Sequence, residues 1–180
     1  SSRKADVCDT TASELSSKYG YECISIPEDL SKIEGIDSLV KSIERRESHI
    51  DVLINNAGAV WAEPIESFTE IGWDKIMNLN VKSMFFCTQK VLHLLKKNAS
   101  KSNPSRIINI GSIDGINTPF YENYSYSASK AAVHQLTKVL AAKLIKDNVI
   151  CNAIAPGPFP SNMLGSALGH DYSKIALKNP

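Results

Sequence analysis

Short apolar runs alternate along this chain with longer segments that carry apolar residues at helical spacing. The apolar runs, at residues 22–26, 51–54, 106–110 and 149–154, have the length and composition of strands in a parallel sheet. The segments at residues 4–18, 31–47, 73–97 and 127–146 have the periodicity of helices. Because parallel strands joined by helices need right-handed crossovers, this alternation predicts a doubly wound, Rossmann-like α/β fold.

Length and charge limit what kind of protein this is. Its 180 residues predict a single domain over residues 1–180. With 20 basic and 19 acidic residues, the net charge of +1 gives no electrostatic case for nucleic acid or anionic membrane as a partner. The apolar runs are far shorter than the roughly 18 residues that span a bilayer. We therefore expect neither nucleic acid nor membrane as the main partner.

The cysteines and histidines show no metal-binding or redox spacing. The four cysteines contain no C-x-x-C pair, which favours a reduced protein, and we expect it to be cytoplasmic. The four histidines are scattered and no H-E-x-x-H occurs, so no metal is expected.

The tetrapeptide Asn55-Asn56-Ala57-Gly58 directly follows the predicted strand at 51–54. Ligands of doubly wound sheets bind at the carboxyl ends of strands, where small residues admit a cofactor and amides bridge neighbouring strands. Asn and Gly also favour ordinary turns. The motif alone therefore supports a turn as well as a cofactor site.

Tyr126 and Lys130 stand four residues apart at the start of a predicted helix, so both lie on one helix face. A nearby ammonium favours phenolate over phenol, which predicts a lowered tyrosine pKa and a group able to transfer protons. Tyrosine and lysine are common enough here that the pair alone is weak support for a site.

Ser112 and Asn80 are two further candidates. Ser112 follows the predicted strand at 106–110, where its hydroxyl could bind a substrate carbonyl or simply form a turn. Asn80 is a poor helix former inside the long predicted helix. It either holds a water or a backbone group at a local kink, or lies on a solvated face.

In this order, the Asn-Asn-Ala-Gly motif, Asn80, Ser112, Tyr126 with Lys130, and Pro156-Gly157 resemble the short-chain dehydrogenase/reductase family. The resemblance runs from Ser2 to about residue 163. It implies that Tyr126 donates the proton and Ser112 orients the substrate carbonyl. It also implies that Lys130 lowers the tyrosine pKa and holds the nicotinamide ribose, while Asn80 keeps a water that relays protons to Lys130.

The resemblance also implies a set of cofactor-binding residues. Asn55, Asn56 and Gly58 would line the adenosine-ribose side, and Asp29 would meet the adenine amino group. The segment from Pro156 to Ser161 matches the family's P-G-x-x-x-[ST] pattern, whose residues Pro156, Gly157, Phe159 and Ser161 would grip the carboxamide.

Arg3 bears on the choice of cofactor. It falls where the family's second strand ends, a position at which an acidic residue binds the ribose 2′-hydroxyl of NAD and basic groups favour NADP. A guanidinium suits a phosphate, so NADPH is expected over NADH. The alternative is that Arg3 and Lys4 simply begin a solvated helix.

Two features of the family are absent from this sequence: the T-G-x-x-x-G-x-G phosphate loop and the last strand and helix. The resemblance therefore implies an incomplete domain, and we expect that these 180 residues alone neither fold stably nor bind cofactor.

The function that the resemblance implies is NADPH-dependent reduction of a carbonyl to a secondary alcohol, with a 3-oxoacyl thioester as the leading substrate. An alcohol or polyol dehydrogenase is the first alternative, and an inactive relative that serves as a binding partner is the second. Apolar residues on several faces of the two long helices also suggest a homodimer or homotetramer. They are Phe85, Phe86, Leu94 and Leu95, then Val139, Leu140 and Leu144.

Overall fold

A three-stranded parallel sheet forms the centre of the protein in a computed structural model, which describes residues 1–119 and 121–158. The strands are β1 (Val52–Asn55), β2 (Ser105–Ile110) and β3 (Val149–Ile154), in the order β1-β2-β3. Both pairs are parallel, with Leu53 opposite Ile107 and Ile107 opposite Cys151. The predicted parallel sheet is confirmed for these three strands.

Helices connect the strands, as the apolar periodicity predicts. They are α1 (Ala5–Tyr19), α2 (Ile33–Glu44), α3 (Glu70–Met77), α4 (Ser83–Lys97) and α5 (Tyr124–Leu144). Short 3₁₀ turns occur at Ile65–Ser67, Ile113–Gly115 and Ile145–Asp147. The helix predicted over residues 73–97 begins earlier, at Glu70, and contains a π-helical turn at Asn78–Lys82.

The core lies between one face of the sheet and helices α2, α4 and α5. Ile107 is fully buried and packs in one cluster with Ile36 of α2, Leu95 of α4 and Leu144 of α5. On the other face of β1, Val52 and Ile54 are about half exposed. This exposure departs from the burial on both faces that is typical of a short apolar run such as residues 51–54, because α2, α4 and α5 pack against the opposite face.

The prediction of a strand at residues 22–26 is also wrong for the described structure. Residues 22–29 form no strand, because a strand needs a neighbour to pair with and the described sheet ends at β1. Single contacts hold the segment instead. The Cys23 N–H donates to the Ser16 hydroxyl over 2.9 Å, and the Glu28 N–H donates to the Ser2 carbonyl over 3.1 Å.

Most of the apolar residues that suggested a helical dimer surface belong to the core of the chain itself. Leu94, Leu95 and Leu144 are buried, and Leu140 packs against the same cluster. Val139 is 45% exposed. Phe86 also packs against the cluster, whereas Phe85 is half-buried outside it. The oligomeric state stays a prediction, and Phe85 and Val139 are the residues of this set that lie outside the described core cluster.

All four cysteines are free thiols. Across residues 1–119 and 121–158, none of the helices has the length and apolarity that a bilayer crossing requires.

Removing the central side chain of the core should destabilise the full-length protein. Ile107→Ala leaves a cavity among tightly packed neighbours, and such a change costs about 2 to 5 kcal/mol of the free energy of unfolding. Denaturant titration measures this cost, with Ile116→Ala, at a residue 67% exposed, as the control. Equal effects of the two substitutions would contradict the packing described above.

Candidate active site

Four of the predicted catalytic residues converge at the carboxyl end of the sheet. Ser112 follows β2, Tyr126 and Lys130 lie on α5, and Asn80 lies in the π-helical turn. The Ser112 hydroxyl lies near enough to the Tyr126 phenol to lower its pKa. The Lys130 Nζ lies 5.6 Å from the centroid of the Tyr126 ring. The structure therefore groups a hydroxyl, a phenol and an ammonium within one small volume.

Lys130 is a buried cation, with only 6% of its surface exposed. Its Nζ donates to the Ile110 carbonyl over 2.7 Å, which ties α5 to the end of β2. Burial disfavours the charged form and lowers the lysine pKa to about 8. An ammonium carries three donors, and this contact uses one of them. Within residues 1–119 and 121–158, the other two donors have no hydrogen-bond acceptor.

The predicted lowering of the Tyr126 pKa is wrong for this structure. Burial of the phenol raises its pKa, a hydrogen bond from Ser112 lowers it, and the negative charge of Asp114 raises it further. The Lys130 ammonium, 5.6 Å from the ring centroid, does not reverse this rise in the pKa of Tyr126. The net result keeps Tyr126 protonated at neutral pH, as a proton donor must be.

Asn80 is buried and joins three segments of the chain. Its Oδ1 accepts from the Ala59 N–H over 2.9 Å, and its Nδ2 donates to the Ala59 carbonyl and to the Ser129 hydroxyl, both over 3.0 Å. Of the two alternatives for Asn80, the structure supports a residue that holds a backbone group. The clamp fixes the loop after β1 against α5, one residue before Lys130.

Asn55 bridges neighbouring elements at the end of β1. Its Nδ2 donates to the Asn109 Oδ1 over 2.8 Å and to the Thr88 hydroxyl over 3.0 Å. Asn109, which the sequence analysis missed, is fully buried and donates onward to the Thr137 hydroxyl over 2.9 Å. Both hydrogens of the Asn55 amide are thus used inside the protein, whereas its oxygen accepts no hydrogen bond from the residues that the structure describes.

A second group that the sequence analysis missed surrounds Asp114. Its Oδ2 accepts from the Tyr121 hydroxyl over 3.0 Å and from the Asn123 Nδ2 over 2.9 Å. Asn123 is buried and its Oδ1 accepts from the Ser127 hydroxyl over 2.6 Å, at the start of α5. A carboxylate two residues after Ser112 is the feature in the sequence that could have indicated this group.

The predicted cofactor residues fall into separate places. Arg3 is exposed and near enough to Asp29 for its charge to lower the pKa of that carboxyl, after the larger effect of a hydrogen bond from Ser31. Pro156 lies beside the Ser112 turn, since its carbonyl accepts from the Ile113 N–H over 3.1 Å.

The other predicted cofactor residues are two exposed residues, a glycine close to Lys130, and two residues for which the structure gives no description. Asn56 and Gly157 are exposed. A Cβ added at Gly58 would lie 3.3 Å from the Asn80 Oδ1 and 3.7 Å from the Lys130 Nζ. Phe159 and Ser161 lie outside the described residues.

Comparison with known proteins identifies the family. The short chain dehydrogenase model matches residues 1–170. The chain belongs to the short-chain dehydrogenase family. Its Rossmann-like fold matches that of solved members of this family.

Three relatives of this short-chain dehydrogenase are informative. It is 45% identical to a rhamnolipids biosynthesis 3-oxoacyl-[acyl-carrier-protein] reductase of Pseudomonas aeruginosa, over 89% of the chain and 62% of the relative. It is 38% identical to a 2-dehydro-3-deoxy-D-gluconate 5-dehydrogenase of Escherichia coli, over 85% of the chain and 59% of the relative. The Pseudomonas aeruginosa RhlG/NADP active-site complex superposes with a TM-score of 0.89 at 42% identity, over 96% of this chain and 66% of that chain. The chain thus spans about three fifths of the length of these two curated relatives.

Removing the charge of Asp114 should lower the pKa of Tyr126. The carboxylate repels a phenolate, so Asp114→Asn makes ionisation of Tyr126 easier. A phenol donates a proton only while it is protonated, so the rate of any step that needs this donor is lost as the pH rises through that pKa. The alkaline limb of the kcat profile should therefore move to lower pH in the full-length variant. Glu122→Gln, an equal charge change at an exposed residue, is the control, and an unmoved limb in Asp114→Asn would refute the assignment.

Proposed function

We propose that this protein reduces a carbonyl compound to a secondary alcohol with NADPH. The observation that carries the proposal is the grouping of the Ser112 hydroxyl, the Tyr126 phenol and the buried Lys130 ammonium. A protonated phenol beside a hydroxyl and a cation suits proton donation to a developing alkoxide. The match to an NADP complex at a TM-score of 0.89 supports the choice of cofactor.

The described residues fit a nicotinamide cofactor. Lys130 keeps two ammonium donors for the ribose hydroxyls, and the side-chain oxygen of Asn55 keeps free acceptor capacity. Gly58 carries no side chain at a point close to Lys130, where the cofactor must pass. Arg3 and Asp29 would hold the adenosine end, and Pro156 with Gly157 the carboxamide end. Phe159 and Ser161 complete the proposed cofactor set.

In the proposed reaction the carbonyl carbon gains a hydride and the carbonyl oxygen gains the proton of Tyr126. Bound NADPH supplies the hydride and becomes NADP⁺. Ser112 donates a hydrogen bond that orients the carbonyl, and Lys130 stabilises the phenolate that remains. Solvent then returns a proton to Tyr126. Asn80 holds the loop after β1 against α5 and so fixes Lys130 in place.

A 3-oxoacyl thioester is the proposed substrate class. The 45% identity to the Pseudomonas aeruginosa reductase supports it, and a 3-oxoacyl-[acyl-carrier-protein] reductase of Synechocystis is 35% identical over 80% of the chain. A sugar-acid dehydrogenase is the second candidate, favoured by the 38% identity to the Escherichia coli gluconate-type enzyme. NADPH oxidation measured with a 3-oxoacyl thioester and with a keto sugar acid separates them, since each candidate predicts turnover of one substrate.

The proton donor is tested by removing one oxygen atom. In the full-length protein, Tyr126→Phe should lower kcat by about a hundredfold or more, the scale of lost general acid catalysis. Fluorescence titration should show unchanged affinity for NADPH, because the ring and Lys130 remain. Tyr124→Phe removes the same atom from an exposed neighbour and is the control. Retained turnover in Tyr126→Phe would exclude this residue as the donor.

The cofactor preference is tested at Arg3. Its guanidinium is suited to the 2′-phosphate that distinguishes NADPH from NADH. Arg3→Ala should weaken NADPH binding by about tenfold or more while leaving NADH binding almost unchanged, the scale of a charged hydrogen bond. Isothermal titration with both cofactors measures this, and Lys4→Ala provides the control. Equal loss for both cofactors would show that Arg3 does not read the phosphate.

A further inference from the structure

His134 lies one helical turn beyond Lys130 on α5 and contacts the backbone of Ser112. Its Nε2 is 2.9 Å from the Ser112 carbonyl oxygen and 3.5 Å from the Ser112 nitrogen. A carbonyl oxygen only accepts hydrogen bonds, so the shorter contact requires that Nε2 carry the hydrogen and donate. The 3.5 Å approach to the Ser112 N–H is then close packing, because the same nitrogen cannot also accept.

Gly111 makes room for this imidazole. A Cβ added at Gly111 would lie 2.3 Å from Cε1, 2.7 Å from Nε2 and 3.0 Å from Nδ1 of His134. Such distances are shorter than any real side-chain contact, so the ring lies directly against the Gly111 backbone. The backbone of Gly111 is outside the left-handed region. Gly111 is therefore required for space, because any side chain at this position would displace the His134 ring from the Ser112 backbone.

The backbone around Ser112 is fixed from two directions. On the side of β3, the Gly111 N–H donates to the Ile154 carbonyl over 2.7 Å and the Ile113 N–H donates to the Pro156 carbonyl over 3.1 Å. On the side of α5, Lys130 donates to the Ile110 carbonyl. The Ser112 carbonyl accepts from His134 Nε2 over 2.9 Å and from the Gly115 N–H over 3.1 Å. Lys130 and His134, four residues apart on one helix face, thus hold the carbonyls on either side of Gly111.

We propose that His134 is a positioning residue for Ser112. The hydrogen bond from Nε2 acts together with the bond from the Gly115 N–H to hold the peptide plane of Ser112. The Ser112 hydroxyl, which accepts from the Asp114 N–H over 3.2 Å, is thereby kept in its direction toward Tyr126 and the substrate carbonyl. The inference rests on the proposed function for the role of that hydroxyl. The imidazole itself touches neither substrate nor cofactor in this proposal, and it acts through the backbone of Ser112.

The donor role of His134 is tested with two replacements of similar length in the full-length protein. His134→Met removes the donor, and the misplaced Ser112 hydroxyl should lower kcat about tenfold while the Kd for NADPH stays unchanged. His134→Gln keeps an N–H that reaches the same carbonyl and should restore kcat close to the wild-type value. His93→Met, at an exposed helical histidine paired with Glu44, is the matched control and should change nothing. Wild-type kcat in His134→Met, or equal losses in the Met and Gln variants, would overturn the proposal.

A stability measurement tests the same contact without any assay of activity. Gly111→Ala should lower the Tm of the wild-type protein by several degrees, because the new methyl group meets the His134 ring. In a His134→Ala background the same substitution should cost much less. An equal loss of Tm in both backgrounds would show that the ring does not lie against Gly111.

The tautomer of His134 gives a third readout on the unmutated protein. Long-range ¹H–¹⁵N spectra should show the hydrogen on Nε2, and a hydrogen on Nδ1 alone would overturn the proposed bond. If wild-type protein reduces no carbonyl substrate, the proposed function fails, whereas the Tm cycle and the tautomer still report on the contact between His134 and the Ser112 segment.

Discussion

The buried ammonium of Lys130 is the constraint on which the rest of this site depends. Burying an ammonium is costly, and at Lys130 no ion pair within the described part of the chain offsets that cost. The ammonium donates a hydrogen bond to the Ile110 carbonyl instead, so the end of β2 and the second turn of α5 must stay in register. The Asn80 clamp on Ala59 and Ser129 secures the opposite side of the same pocket.

Burial brings the pKa values of Tyr126 and Lys130 closer together. It raises the pKa of the Tyr126 phenol and lowers the pKa of the Lys130 ammonium to about 8. At neutral pH the phenol therefore keeps its proton and the lysine is mostly charged, the combination that proton donation to an alkoxide requires. The negative charge of Asp114 adds to the rise in the pKa of Tyr126. The side chains of Tyr121 and Asn123 donate hydrogen bonds that fix this carboxylate.

The sequence predicts the parts of this structure that depend on local pattern, and fails where distant contacts decide. The strands near Leu53, Ile107 and Cys151 follow from apolar runs, and the shared face of Tyr126 and Lys130 follows from helix geometry. The strand predicted at 22–26 fails because pairing needs a neighbour that the described sheet does not hold. The sign of the Tyr126 pKa shift fails because spacing reveals neither burial nor the bond from Lys130 to Ile110. The contact between His134 and Ser112 does not follow from local pattern, because the two residues are 22 positions apart in the sequence.

The wide sequence separation of these contacts has a consequence for how the protein is made. Asn80 bonds Ser129 across 49 residues and Asn55 bonds Asn109 across 54. A growing chain therefore exposes Asn55 and Asn80 to solvent well before their partners are synthesised. Loop closures of this length are slow steps in folding, so the cluster around Tyr126 and Lys130 should be among the last features to form. Recovery of catalytic turnover after dilution from denaturant would then report the final stage of assembly, later than the return of helical circular dichroism.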